Sequence, residues 1–150
     1  MIRLLRTDST NNDFISLVKK LDLFLAESDG QEHSFYSQFN SIKQIKHVVI
    51  AYKTKQAISC GAIKEYDSKT MEIKRMYTEP ESRGNGTAAL VLRELEHWAT
   101  EMKFEKCILE TGTRQTAAIR LYHKCAYQII PNYGQYANME NSVCFMKRLK

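Results

Sequence analysis

The chain has 150 residues, of which 43% are hydrophobic and 26% are charged, and its net charge is +5 with a pI of about 9.0. This length predicts one globular domain, residues 1–150, with a core of its own. The sequence contains no apolar run long enough to span a membrane and no signal-peptide pattern at its start. We therefore expect a cytoplasmic protein with no membrane partner.

The predicted elements begin with a strand at Ile2–Arg6. Thr10 or Asn11 could cap the helix that follows, because apolar residues recur at helical spacing from 14 to 25. A second short helix is predicted at His33–Asn40, after a break at Asp29-Gly30. Three strands then follow, at His47–Tyr52, Ala57–Tyr66 and Met71–Thr78, the last of which alternates between the two sides of the sheet.

The clearest helix carries apolar residues from Ala88 to Met102 on one face and charged residues elsewhere. The remaining predicted elements are a strand at Lys106–Glu110, a helix at Gln115–Cys125, and strands at Tyr127–Ile130 and Ser142–Leu149. This mixture of hairpins and helices predicts an α+β fold rather than a repeated βαβ array.

The cysteines and histidines are dispersed, with no close pair that would form a metal site, so we expect no metal. Cys107 and Cys144 fall inside predicted strands and are expected to be small buried residues. Basic residues are spread along the chain and are not interleaved with aromatic residues on one face. A nucleic-acid partner is therefore not expected.

A glycine-rich turn, Arg83-Gly84-Asn85-Gly86, lies between the fourth predicted strand and the long helix. Helix N-termini have unpaired backbone N–H groups, glycines allow a bulky anion to approach, and phosphate is the usual ligand of such a site. Arg83 would add a forked donor. A structural turn that binds nothing remains an alternative.

Two other phosphate motifs fit less well. Gly84-x-Gly86-x-x-Ala89 has the loose form of a dinucleotide fingerprint, but the alternating strand before it and the short chain argue against that fold. A P-loop would require a Gly-Lys-Ser/Thr sequence, which does not follow the turn.

Arg83-Gly84-Asn85-Gly86-Thr87-Ala88 resembles the Gln/Arg-x-x-Gly-x-Gly/Ala signature of the GNAT superfamily of acyl-CoA-dependent N-acetyltransferases. Downstream, Glu110-Thr111-Gly112, Gln115–Ile119 and Leu121–Tyr127 resemble its second block, with Ala126 where glycine is usual. The likeness extends roughly from residue 72 to residue 149. It implies a mixed, mostly antiparallel sheet of about seven strands with about four helices, splayed between strands 4 and 5.

The resemblance implies acetyl-CoA as co-substrate. Backbone groups of the fourth strand would bind the pantetheine arm and acetyl carbonyl, the glycine-rich turn would bind the pyrophosphate, and the helix near Gln115 would flank the pantetheine. The residues implied are Met76, Tyr77, Thr78, Arg83, Gly84, Asn85, Gly86, Thr87, Ala88, Gln115 and Ala118.

For catalysis, the resemblance implies Tyr122 as the acid that protonates the leaving thiolate, although its spacing alone indicates a core tyrosine. Glu72 is the candidate base, with a solvated glutamate or an ion pair to Lys74 or Arg75 as the structural alternative. Glu110, or a water molecule, is a second route for the proton.

The acceptor is expected to be an amine of a small molecule, an amino acid or a protein. His33, Tyr36 and Tyr136 are candidates for the wall of its site, with Phe35 and Tyr133 beside them. Half-buried packing is the alternative for each of these aromatic residues. A catalytically silent acyl-CoA-binding module is the competing function, and a homodimer is common in the family.

Overall fold

The computed structural model describes residues 1–29 and 45–149. The chain forms, in order, β1 (Ile2–Thr7), α1 (Asn12–Asp29), β2 (His47–Lys53), β3 (Gln56–Asp67), β4 (Thr70–Thr78), α2 (Thr87–Glu101), β5 (Lys106–Gly112), α3 (Thr116–Lys124), β6 (Gln128–Ile130) and β7 (Ser142–Arg148). Every predicted strand is present within one or two residues of its expected ends. The helix predicted at His33–Asn40 lies outside the described residues.

The seven strands found in the described residues form one sheet in the order β1-β2-β3-β4-β5-β7-β6. All neighbours are antiparallel except β4 and β5, which are parallel. These two strands pair only where Thr70–Glu72 lies beside Lys106–Ile108. The remainder of β4 has no partner on β5, so the prediction of a mixed sheet splayed between strands 4 and 5 is confirmed.

Helices cover both faces of the sheet. On one face, α1 begins where Asn11 Oδ1 accepts hydrogen bonds from the N–H groups of Asp13 and Phe14 at 2.8 and 3.1 Å, so Asn11, not Thr10, is the cap. Its apolar stripe packs on β2 and β3. On the other face, α2 and α3 share one core with the sheet. Cys107 and Cys144 are fully buried, as predicted.

A β-bulge interrupts β4 at the point where it leaves β5. Cys60 pairs with Tyr77 and Ala62 pairs with Lys74, so two residues of β4, Arg75 and Met76, face only Gly61 on β3. Arg75 has a φ of +59°. The predicted alternation of this strand is therefore wrong beyond Lys74, because the extra residue transfers Tyr77 to the α1 face and Met76 to the α2 face.

Gly61 allows this bulge to form, since a Cβ there would lie 2.4 Å from Met76 Sδ and 2.9 Å from Leu95 Cδ1. We expect Gly61→Ala to lower the free energy of unfolding by about 1–3 kcal/mol through overpacking, measured by urea denaturation. Gly112→Ala is the control, because its nearest neighbour, Gln115 Cγ, is 3.6 Å away. Equal losses in the two variants would contradict the packing argument.

The turn after α3 is made by Ala126, with a φ of +73°. The N–H of Tyr127 donates to the Tyr122 carbonyl at 2.9 Å, which closes the end of the helix. Alanine adopts this left-handed conformation at a cost of roughly 1–2 kcal/mol that glycine avoids. The chain therefore makes the turn without the usual glycine.

Candidate active site

A cavity of about 720 Å³ opens between the splayed ends of β4 and β5. It is lined by residues of α1, β4, the glycine-rich turn, β5 and α3. The predicted residues on its wall are Glu72, Met76, Tyr77, Thr78, Arg83, Gly84, Gly86, Thr87, Ala88, Gln115, Ala118, Tyr122 and Tyr136. Asn85 is not on the wall; its Oδ1 accepts a hydrogen bond from Thr87 Oγ1 at 2.9 Å. His33 and Tyr36 lie outside the described residues.

The N-terminus of α2 meets this cavity at the glycine-rich turn. Gly84 and Gly86 have φ values of +86° and +85°, and Gly86 is the N-cap. No side chain of the described residues caps this helix, and its first turn contains no acidic residue. A Cβ at either glycine would meet nothing within 4 Å. The turn thus presents open backbone N–H groups suited to an anion.

Arg83 is folded back on the end of β4. Its Nε donates to the Thr78 carbonyl at 2.8 Å, and its guanidinium lies 5.7 Å from the ring centres of Phe24 and Tyr77. The hydroxyl of Tyr77 in turn donates to Glu79 at 3.1 Å. The arginine is therefore held at the mouth of the cavity, beside the turn.

Positive charge exceeds negative charge on the cavity wall. Among the described residues, the cationic side chains are Lys74, Arg75, Arg83, Arg120 and Lys124, and the acidic ones are Glu72 and Glu110. This balance favours a polyanionic ligand.

Glu72 is buried, with 8% of its surface exposed, so it is not a solvated strand glutamate. Its Oε2 accepts a hydrogen bond from the Tyr133 hydroxyl at 2.6 Å, and its Oε1 lies 3.8 Å from Lys74 Nζ. Burial and the Glu72 carboxylate raise the pKa of Tyr133, so this tyrosine remains a donor. Arg75 pairs with Asp22 and not with Glu72.

Tyr122 belongs to both the core and the cavity. It is 5% exposed, and its ring packs against Tyr127 and Phe145 at centroid distances of 5.8 and 5.7 Å. Burial raises the pKa of its hydroxyl, with a smaller contribution from Cys125. A tyrosine on the cavity wall that stays protonated can act as a proton donor.

Tyrosines from the segment between β6 and β7 form a wall beside Glu72. Tyr136 is 3% exposed, and its ring lies 5.8 Å from that of Tyr133, which also meets Tyr66 at 5.3 Å. Nearby, Ser142 Oγ donates to Glu110 at 2.7 Å. The sequence placed Tyr133 and Tyr136 on an acceptor wall but did not indicate the Tyr133–Glu72 contact.

The start of α3 is tied to the end of α1. Gln115 Nε2 donates to Ser28 Oγ at 2.6 Å, and Arg114 Nη1 donates to the Ser28 carbonyl at 3.2 Å. These long-range contacts, which no local sequence signal indicates, bridge the two faces of the sheet next to the cavity.

In the part of the chain that the structure describes, no group of three or more His, Cys, Asp or Glu side chains is arranged to hold a metal ion. Nor does any helix within residues 1–29 and 45–149 have the length and apolarity that a membrane crossing requires.

Comparison with known proteins gives a consistent result. Residues 14–127 match the family model described as the acetyltransferase (GNAT) family. The chain is 32% identical over 101 residues to the uncharacterized N-acetyltransferase YsnE of Bacillus subtilis (strain 168), covering 66% of this chain and 67% of that protein.

Among solved structures, a protein assigned as an acyl-CoA N-acyltransferase from Klebsiella pneumoniae is 26% identical, with a TM-score of 0.84 over 100% of this chain and 99% of that one. A GNAT family acetyltransferase from Elizabethkingia anophelis with acetyl-CoA bound has the same fold, with 15% identity and a TM-score of 0.70 over 99% of this chain and 98% of its own.

Proposed function

Because the chain belongs to the acetyltransferase (GNAT) family, we propose that it transfers an acetyl group from acetyl-CoA to an amine by direct attack in a ternary complex. The amine belongs to a small molecule, an amino acid or a protein. The observation that carries this proposal is one cavity that joins the uncapped N-terminus of α2 to the buried side chains of Glu72 and Tyr122.

The donor site of this proposal fits a polyphosphate with a long neutral arm. Residues 83–88 hold the pyrophosphate through backbone N–H groups and the positive end of α2. The edge of β4 at Met76–Thr78, which does not pair with β5, binds the pantetheine arm, which Gln115 and Ala118 flank from α3. Arg83 at the turn and the cations Arg120 and Lys124 of α3 support this assignment, as does the fold shared with a protein that holds acetyl-CoA.

The proposed chemistry uses groups on two sides of the cavity. Acetyl-CoA supplies the thioester that is attacked. Glu72 accepts the proton from the acceptor ammonium, and backbone N–H groups at the β4 bulge stabilise the developing oxyanion. Tyr122, kept protonated by its burial, donates to the departing sulfur. A thiol with a pKa of roughly 8.5 leaves readily, so this last contribution is helpful but not essential.

The test begins with the thermal stability of the protein in the presence of acetyl-CoA, with NAD as the control. We expect acetyl-CoA to raise the Tm, since a ligand that binds only the folded state stabilises it. Release of free thiol is then followed over a panel of amines and peptides. No stabilisation would refute the donor site. Stabilisation without thiol release from any acceptor would instead support a silent acyl-CoA-binding module.

Within this proposal, we expect Tyr122→Phe to lower kcat by about 10²-fold, at the low end of general acid catalysis because the leaving group is already good. The Kd of acetyl-CoA should change little. Tyr127→Phe is the matched control, since its hydroxyl donates to Glu96 at 2.8 Å within the core and it is not on the cavity wall. An unchanged kcat in Tyr122→Phe would remove this residue from the mechanism.

A further inference from the structure

Two adjacent cations of β4, Lys74 and Arg75, line the cavity although their side chains are only 10% and 1% exposed. Lysine and arginine are almost never fully buried unless they are paired, because removing a charge from water is costly. Both residues precede the glycine-rich turn, which begins at Arg83. The proposed phosphate site, residues 83–88, includes neither of them.

The guanidinium of Arg75 is only partly satisfied. Its Nη2 donates to Asp22 Oδ1, while its Nε is buried and has no hydrogen-bond partner among the described residues. A buried donor without an acceptor is unfavourable, and so is the left-handed backbone at this residue, with φ of +59°. The planar fork of an arginine matches the two oxygens of a carboxylate. Because this Nε is shielded from solvent, a small shift of the side chain would let the carboxylate of a ligand in the cavity supply the missing acceptor.

Lys74 lies beside one of the two carboxylates that line the cavity. Its Nζ is 3.8 Å from Glu72 Oε1. Burial lowers the pKa of Lys74, and the charges of Glu72 and Glu110 partly oppose that effect. Glu72 is in register with Ile108, two residues before Glu110, so both glutamates are on the same face of the sheet. The cavity thus presents two acidic and two basic side chains next to each other.

This arrangement fits a ligand that carries both charges. We infer that the acceptor is a free amino acid or a similar small amino carboxylate, whose ammonium faces Glu72 and Glu110 and whose carboxylate is bound by Lys74 and Arg75. The inference rests on the proposed function and narrows its acceptor. Amines that lack a neighbouring carboxylate would leave the two buried cations without a counter-charge from the ligand.

The first test measures kcat/KM by thiol release, with acetyl-CoA saturating, for the twenty common amino acids, each compared with its carboxamide and its decarboxylated amine. For the best acceptor we expect the acid to exceed both analogues by at least about tenfold, since the analogues leave buried polar groups unpaired. Equal rates for acid and analogues, or no amino acid acetylated, would overturn the inference. Stabilisation by acetyl-CoA and turnover of other amines would, in that event, leave the proposed function intact.

The second test asks whether Arg75 binds ligand or only anchors α1. Arg75→Gln should abolish the preference, so that the ratio of kcat/KM for the acid to that for the carboxamide falls to about 1, and should raise KM for the acid. Asp22→Asn should retain the preference, because Asp22 contacts only Nη2. If both variants lose stability and keep the full preference, Arg75 is an anchor and the inference fails. Should Arg75→Gln not fold, Lys74→Gln tests the same preference with the Asp22 contact intact, and an unchanged preference there refutes the proposal.

Discussion

Glu72→Gln is expected to lower kcat by about 10²- to 10³-fold, within the range for loss of a general base. Glutamine preserves the size of the side chain and can still accept the hydrogen bond that Tyr133 donates at 2.6 Å, so the fold should survive. What the amide cannot do is take a proton from the acceptor ammonium. Steady-state kinetics of thiol release would measure the loss, and the Kd of acetyl-CoA, determined by calorimetry, should stay close to that of the unmodified protein.

Glu110→Gln provides the matched control, because Glu110 also lines the cavity and is held by Ser142 at 2.7 Å. This variant should raise KM for the acceptor, through weaker attraction of its ammonium, and affect kcat less than Glu72→Gln does. The reverse pattern, with kcat lost in Glu110→Gln and retained in Glu72→Gln, would show that Glu110 on β5 is the base.

Much of the fold could be predicted from the sequence because its signals are local. The apolar spacing from Ala88 to Met102 predicted α2, and turn residues separated the hairpin strands. The glycine-rich turn could also be recognised from the sequence, since two glycines directly before an amphipathic helix form a pattern that spans only six residues. The α+β class followed from the predicted order of hairpins and helices, whereas the splay between strands 4 and 5 followed from the family resemblance.

The contacts within the proposed acceptor site could not be predicted in the same way. The bulge at Arg75 depends on what lies across the sheet, namely a glycine at 61 that leaves room for Met76. The positive φ of a non-glycine residue does not alter the spacing of hydrophobic residues, so that spacing could not predict the bulge. Similarly, the contact between Tyr133 and Glu72 joins residues 61 positions apart, and only the sheet topology brings them together.

The bulge in β4 connects the proposed acceptor site with the proposed donor site. By changing the face on which successive residues lie, it turns Met76 toward α2 while Tyr77 packs with the α1 cluster. It also occurs just beyond Glu72, the last residue of β4 paired with β5. The proposed base therefore lies at the closed end of the splay, and the proposed pantetheine edge begins within four residues of it.

Gly86→Val is expected to weaken acetyl-CoA binding by about 10²-fold or more. The valine would have to adopt the φ of +85° that glycine holds there, and its side chain would enter the space in front of the α2 N-terminus, where a Cβ now meets nothing within 4 Å. Losing two charge-assisted hydrogen bonds to phosphate, at about 1.5–3 kcal/mol each, corresponds to at least this change in Kd. Isothermal titration calorimetry with acetyl-CoA would measure it.

Gly134→Val is the control that distinguishes the loss of the phosphate site from the effect of backbone strain. Gly134 also has a positive φ, +52°, and a Cβ there would make an ordinary contact of 3.6 Å with the Tyr66 hydroxyl. Both variants should lose stability, because a β-branched residue is forced into the left-handed region. Only Gly86→Val should lose affinity for acetyl-CoA. If the two variants bind the cofactor equally well, the pyrophosphate does not occupy the N-terminus of α2, and the donor site must be sought elsewhere on the cavity wall.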